Sequence, residues 1–488
     1  MSIDLSLDRI RALLSYLPKY TRPTIHVAGT NGKGSVSSIV SSVLLSASLG
    51  VGRFNSPHLT KVRDSISVRG KPVDSSTYKL ATSTVKRKNE EHSTGLTSFE
   101  LLTCAALIIF EYEEVDIVVL EVGMGGRLDA TNVVPDSCIL VSALTAVDLD
   151  HQAFLGNTPA EIAREKAGIA RKGKPFVLGS QKYSEVVEAV TDVVAKVGAE
   201  LVTADTPPRR AWDTSIDGPH LPPLSFSFSS FQGVEAQPVE VSMSCFPQPL
   251  QVQLPLPGEH QLDNLGVAVK IIEMLLTRPS CTGMFWNIQR KVTVQAIKQG
   301  IKATVWSGRL SFHKVPLQVL GVEHSDSSQG IIVLADGAHN SSSSARLASY
   351  ISDILSRASH PDKIRLTYIL ALSNSPPKTP LQTLTPLLSL SPEDRTRIDM
   401  NVAVLRFTPV EGMPWVKPVP PSELKQAVEE ITPGTVGWSA PDDGEPGEDL
   451  RKALQFTVSQ GGTYTEELVV IAGSLYLVAD FYRLYKTK

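Results

Sequence analysis

Thr24-Ile-His-Val-Ala-Gly29-Thr-Asn-Gly-Lys-Gly-Ser35 sets a five-residue, mostly apolar run directly before three closely spaced glycines. Residues 36–49, which follow, contain neither Gly nor Pro. The pattern predicts a buried strand, a tight loop and a helix. Glycines at 29, 32 and 34 let the backbone turn its N–H groups inward, and the helix that follows points its positive end at the same spot. Lys33 supplies a point charge, and Thr30 or Ser35 a hydroxyl. The strict GxxxxGK[ST] pattern is not met, because Val27 stands at its first position and Gly34 separates Lys33 from Ser35. On these residues alone, the loop either holds phosphate or only turns the chain.

Outward from the loop, 99–110 has helical length, 116–121 (Asp-Ile-Val-Val-Leu-Glu) is a continuous aliphatic strand pattern, and 138–144 is another. Strands alternating with helices predict an α/β fold with a mostly parallel sheet covered on both faces. From 204 to 257 the texture turns to Pro, Ser and alternating polar residues, an irregular β-rich segment or surface excursion. A helix is expected from about His260. The chain is expected to enter a second domain near 304–309, giving domains 1–303 and 304–488. The second starts with short strands at 310–320 and 331–334, followed by strands at 364–372, 402–407 and 469–472. Stretches 373–397 and 432–448 read as surface insertions.

The bulk numbers narrow the class. A chain of 488 residues is too long for one ordinary domain. Its 47 basic and 50 acidic residues nearly cancel, which speaks against a nucleic-acid-binding surface. Four cysteines without a CxxC pair fit a reducing compartment and speak against a disulfide framework or structural zinc. The opening residues, with Asp4 and Asp8, read as an amphipathic helix rather than a signal or transit peptide. No run approaches the roughly 18–20 apolar residues of a membrane span. The expectation is a cytoplasmic protein, a mitochondrial pool being compatible, with no membrane and no nucleic-acid partner.

Three further constellations carry chemistry. Glu121-Val-Gly-Met-Gly-Gly-Arg-Leu-Asp-Ala-Thr-Asn132 puts a carboxylate at the carboxyl end of a buried strand beside a glycine loop, where α/β proteins place groups that meet magnesium. Equally, Glu121 could only cap the strand. His151, after Asp148 and Asp150, is followed 15 residues later by Lys166. Each alone is ordinarily solvated or structural, and the pair matters only if both converge with Glu121. In the second domain, Ser307-Gly-Arg309 offers a guanidinium that can fork onto phosphate. Asp336-Gly-Ala-His-Asn340 offers a carboxylate for ribose hydroxyls, or merely an Asp-Gly turn.

Taken together, these segments resemble the folylpolyglutamate synthase and dihydrofolate synthase family, a branch of the Mur ligases. The matching pieces are 26–35, Asn55-Ser-Pro-His-Leu59, Ser98-Phe-Glu-Leu-Leu102, 121–132, Asp150-His151, Glu165-Lys-Ala-Gly-Ile169, Gly258-Glu-His-Gln261 with Asn264, Gly308-Arg309, 336–340 and Ala472-Gly-Ser-Leu-Tyr476. They run through nearly the whole chain in the family's order. The resemblance implies a Mur-ligase-like P-loop ATPase domain with a mostly parallel sheet, plus a smaller Rossmann-like C-terminal domain. It implies that Asn31, Gly32, Lys33, Gly34 and Ser35 hold the ATP phosphates, with Asn264, Arg309, Asp336 and His339 as further nucleotide contacts. Ser56, Glu121 and His151 match the family's magnesium ligands, with two ions expected. Lys166 matches a lysine that is carbamylated in many members. Thr97, Ser98, Phe99 and Glu100, and Leu128, Asp129 and Ala130, fall where relatives hold the pterin.

The implied reaction converts a substrate carboxylate to an acyl phosphate, which the amino group of L-glutamate attacks. It needs cations around the transferring phosphoryl group and no protein nucleophile; Lys33, Lys166, His151 and Glu121 are the catalytic candidates. The acceptor is either dihydropteroate or a folate that already carries glutamate. Asn31 is shared by bacterial bifunctional members and the dihydropteroate-using members found in fungi, and 99–104 and 406–415 resemble the latter, the alternatives being a folylpolyglutamate synthase or a bifunctional enzyme. A non-catalytic ATP-binding paralogue would be expected to lack one of Lys33, Glu121, His151 or Lys166, and all four are present. A monomer is expected.

Overall fold

The computed structural model describes residues 6–283, 285, 287–322, 329–358, 364–389, 394–410, 413, 416–459 and 466–486. Asp4 and the residues Glu411, Gly412, Pro414 and Trp415 of the fungal-like segment lie outside them. The chain divides into two compact units, 1–217 with 236–305, and 218–235 with 306–488.

The first unit is built on an eight-stranded sheet in the order Lys71–Pro72, Ile66–Val68, Val51–Phe54, Ile117–Glu121, Thr24–Ala28, Ile139–Leu144, Pro175–Leu178, Glu200–Thr203. The two strands at the Lys71 edge pair antiparallel and all the others pair parallel. Thr24–Ala28, Ile117–Glu121 and Ile139–Leu144 are buried at every residue, as expected for central parallel strands covered on both faces. Their mostly aliphatic runs follow from that burial, with Thr24, His26, Ser142 and Glu121 as buried polar exceptions.

The helix after the glycine loop spans Lys33–Ser46, three residues earlier at each end than the sequence pattern suggests. Gly32 is its N-cap at φ 95, a left-handed conformation that glycine adopts without a side-chain clash, so the helix can begin directly behind it. At the other end, Ser48 turns left-handed (φ 56) and stops it.

The second unit carries six strands in the order Ser311–Pro316, Gly330–Ala335, Glu467–Ala472, Ile364–Leu370, Ile398–Val404, Val436–Ser439, all parallel except the first pair. Helices Ser341–Ser356, Pro380–Leu388 and Pro421–Ile431 lay Leu347, Ile351, Leu384, Leu387, Leu424 and Val428 into one core with Leu366, Tyr368 and Leu370 of the sheet.

Three stretches differ from the sequence reading. Within 204–257, Gln237–Val241 and Leu250–Leu254 form an antiparallel pair in the first unit. Residues 218–235, by contrast, belong to the second unit, where Phe226 and Phe231 enter the core. Burying each ring contributes about 1.5–3 kcal/mol, which explains why a polar-looking segment leaves the unit that flanks it. The supposed surface insertion at 373–397 contains the helix Pro380–Leu388, with four buried residues. Pro380 lies in the helix's first turn and Thr379 with Gln382 makes a capping box, so this proline starts a helix. Likewise 432–448 supplies the edge strand Val436–Ser439 and the start of helix Pro446–Ser459. All four cysteines are free thiols. Among the described residues, no helix is long and apolar enough to cross a membrane.

Candidate functional site

Parallel pairing puts the carboxyl ends of Val51–Phe54, Ile117–Glu121, Thr24–Ala28 and Ile139–Leu144 on one edge of the first unit's sheet. Ser56, Glu121, the glycine loop and His151 therefore all leave the sheet at that edge. Gly29 adopts φ 151, and a Cβ there would lie 1.8 Å from Thr145 Oγ1. A Cβ on Gly32 would lie 2.1 Å from Asn264 Oδ1. Asn264, on helix His260–Thr277, is thus pressed against the loop, and it donates to Gln261 Oε1 at 2.8 Å. The loop is pinned from the other side: the N–H groups of Thr30 and Asn31 donate to Ala146 O, and Thr145 Oγ1 donates to Asn31 O at 2.7 Å.

The two lysines meet on this loop. Lys33 Nζ donates to Gly29 O at 3.0 Å and to Thr30 O at 3.3 Å. Lys166 Nζ, 3% exposed, donates to the same Gly29 O at 3.0 Å. Burial, reinforced by the charge of Lys33, pulls Lys166 down to about 7; Asp150 and Asp129 act in the opposite direction.

Lys166 reaches the loop because two motifs interlock. A Cβ on Gly126 would lie 2.6 Å from Lys166 O, and one on Gly168 2.4 Å from Arg127 Cβ. The Arg127 N–H donates to Glu165 O at 2.8 Å, and its guanidinium pairs with the Glu165 carboxylate. The glycine-rich segment after Glu121 is therefore the bed on which the Lys166 helix, Pro159–Ala167, rests.

Glu121 is 4% exposed and accepts from Asn55 Nδ2 at 2.6 Å. His151 takes a left-handed conformation (φ 52), and its ring lies 4.0 Å from Asp150 with the side chain 46% exposed. Among the described residues, no three His, Cys, Asp or Glu side chains gather as a metal cluster. Ser56, Glu121 and His151 contain only two such groups. That donor set fits magnesium, which ordinarily takes one or two carboxylates, water and substrate phosphate oxygens rather than a protein cage.

The candidate pterin residues come together across Gly123. A Cβ there would lie 2.4 Å from Phe99 Cζ and 3.1 Å from Asp129 Oδ2. Thr97 and Ser98 are exposed, Phe99 and Leu128 half-buried, and Glu100, Asp129 and Ala130 buried. Glu100 closes a capping box with Thr97 and pairs with Arg9 at 3.5 Å. Asp129 accepts from Met124 N, Thr131 N and Thr131 Oγ1. Because Thr131 Oγ1 donates to Asp129, His26 Nε2 is the donor to Thr131 at 2.8 Å. Burial holds His26 neutral, with its pKa lowered to about 3.

In the second unit, Arg309 and 336–340 form one cluster. Asp336 accepts from Leu310 N and Ala338 N, each at 2.8 Å. Gly337 N donates to Gly308 O, and a Cβ on Gly337 would lie 2.5 Å from the Arg309 guanidinium. His339 Nδ1 sits 2.9 Å from Gly337 O, and Asn340 caps helix Ser341–Ser356. Lys378, in a stretch where the sequence offers no clear candidate, donates to His339 O at 2.8 Å and lines a pocket of 230 Å³ with Asn374 and Glu423.

The sequence reading did not single out Asn55, His26, Thr131 or Thr145. Asn55 stood inside a quoted motif, but its role depends on strand pairing, which a single sequence does not print.

Comparison with known proteins is decisive for the family. Residues 27–272 match the Mur ligase middle domain, and 318–484 match the dihydrofolate synthetase C-terminal domain. The chain is 32% identical to the dihydrofolate synthetase of Saccharomyces cerevisiae, over 100% of this chain and 99% of that one. The chain belongs to the dihydrofolate synthetase family of ATP-dependent ligases. A probable dihydrofolate synthetase of Schizosaccharomyces pombe is 30% identical, with the same coverage of both chains. Among solved structures, the Mycobacterium tuberculosis folylpolyglutamate synthase complexed with ADP and AMPPCP superposes with a TM-score of 0.74 at 25% identity, covering 99% of this chain and 96% of that one. The α/β architecture and the mostly parallel sheets agree with that match.

Proposed function

We propose that this member of the dihydrofolate synthetase family joins L-glutamate to 7,8-dihydropteroate at the expense of ATP, giving 7,8-dihydrofolate, ADP and phosphate. The observation that carries the reading is the end-to-end likeness to a fungal dihydrofolate synthetase in a chain whose glycine loop, Lys33, Lys166 and Asn264 are assembled at one sheet edge.

The reaction has to make an amide from a carboxylate, whose oxygen is too poor a leaving group to depart. Transfer of the γ-phosphoryl group of ATP to the dihydropteroate carboxylate makes an acyl phosphate and releases ADP. The glutamate amino group then attacks the acyl carbon, loses a proton, and phosphate leaves with the electron pair. In this reading Gly32, Gly34 and Ser35 hold the phosphates through backbone N–H groups at the start of helix Lys33–Ser46, and Asn31 does so through its side-chain amide. Lys33 exchanges the Gly29 and Thr30 carbonyls for phosphate oxygens. Asn264, Arg309, Asp336 and His339 are the further nucleotide contacts of this proposal; that the M. tuberculosis relative is complexed with ADP and AMPPCP supports a nucleotide as ligand. Ser56, Glu121 and His151 would hold magnesium, which supplies positive charge to the phosphate oxygens. Lys166, with its lowered pKa, is suited to carbamylation. Half-buried Phe99 and Leu128 offer flat apolar surface for a pterin, beside Thr97, Ser98, Glu100, Asp129 and Ala130. A monomeric cytosolic enzyme is part of the proposal, to which the four free thiols are suited.

The test is ADP release by purified protein with ATP, magnesium and glutamate, with dihydropteroate or tetrahydrofolate as acceptor. Release with dihydropteroate is expected. Release with tetrahydrofolate alone would replace this proposal with a folylpolyglutamate synthase.

A further inference from the structure

Glu121 is the last residue of its strand, and its neighbour Val51–Phe54 runs parallel with Phe54 opposite Leu120. One step further along, Asn55 comes opposite Glu121. Its backbone is fixed by donation of its N–H to Ser65 O at 2.9 Å. Its side-chain Nδ2 donates to Glu121 Oε2 at 2.6 Å, with both residues buried, at 7% and 4% exposure. Arg53, two residues earlier and so on the same face of the strand, is half-buried. Burial lowers its pKa, the negative charge of Glu121 opposes that, and its guanidinium donates to Ser38 Oγ at 3.1 Å. Asn55 thus gives Glu121 a neutral donor, and the half-buried cation of Arg53 stands on the same strand.

We propose that Asn55 is a positioning residue, whose amide fixes the rotation of the Glu121 carboxylate so that it presents a lone pair to a divalent cation. An amide suits this because its N–H group orients a carboxylate yet carries no charge to compete with the cation. The inference rests on the proposed role of Glu121 at magnesium.

The test is ADP binding by calorimetry, with and without magnesium, in wild type and Asn55→Ala. Loss of a group that orients a metal ligand ordinarily costs about 10- to 100-fold in metal affinity. The magnesium concentration that half-maximally strengthens ADP binding should therefore rise about 10-fold or more. Metal-free ADP binding should stay at the wild-type value, and turnover at saturating magnesium should be largely restored. If Asn55→Ala does not fold, Asn55→Leu, which keeps the volume and removes the donor, is measured in the same way. An unchanged magnesium midpoint overturns the proposal, as does an equal loss of metal-free ADP binding, which marks a merely structural residue. A wild-type protein whose ADP binding ignores magnesium overturns the metal role of Glu121 itself, and this inference with it.

Discussion

At the carboxyl edge of the first sheet, Lys33 and Lys166 both donate to one neutral carbonyl, that of Gly29. At the carboxyl end of Gly330–Ala335 in the second sheet, Asp336 accepts two backbone N–H groups and so builds the turn that carries His339 and Asn340. In the proposed function the first arrangement is a resting one: Lys33 leans on weak acceptors that a phosphate can replace at little cost. The second already serves architecture, since each oxygen of the carboxylate accepts one loop N–H whether or not a nucleotide takes a remaining lone pair. Burial raises the Asp336 pKa, and Arg309 and those N–H groups pull it back. The two edges should therefore respond differently to mutation, the first in rate and the second in stability.

Lys33→Ala is the most severe way to probe that contrast. Removing one preorganised charge-stabilising group costs about 100- to 1,000-fold in turnover, so ADP release should fall by that factor while the thermal midpoint barely moves. A large drop in midpoint would make Lys33 a structural residue and erase the distinction. Asp336→Ala should do the reverse in the second unit. Two buried N–H groups lose their acceptor, at about 1–3 kcal/mol each, and urea unfolding should register the loss even without any nucleotide. Unchanged stability would mean that Asp336 is as replaceable as the Lys33 carbonyl contacts.

A third effect is one of pH. Lys166 is lowered to about 7 in the fold, against 10.5 for an ordinary lysine. Between those values the unfolded chain binds a proton that the folded chain does not, so wild-type stability rises with pH from about 7 towards 10.5. Below 7 the burial penalty is fully felt. In carbon-dioxide-free buffer, Lys166→Met, which has no proton to lose, should be most stabilised relative to wild type below pH 7, with the gap narrowing as pH rises. Melting curves across that range decide it; a constant gap would mean that Lys166 titrates normally.

The glycine loop and the aliphatic strands were legible because each is written in neighbouring residues or in a periodic pattern. Asn264 against Gly32 and Asn55 against Glu121 were not, because both depend on which strand or helix comes alongside, and register is a tertiary fact. Proline misled the reading at 373–397, where Pro380 opens a helix. Polar texture misled it at 218–235, where two phenylalanines outweigh the serines around them.

That last segment has a consequence for modularity. The chain passes between the units at 217–218, again at 235–236 and finally at 305–306. Its sequence boundary near 304 is a seam in the chain but not in the cores: a break there would leave Phe226 and Phe231 on the fragment that does not use them. The two halves cannot be exchanged, expressed or recombined as independent cassettes at that point. Whatever lineage produced the arrangement has traded the interchangeability of a two-domain enzyme for a second unit completed by a loan from within the first.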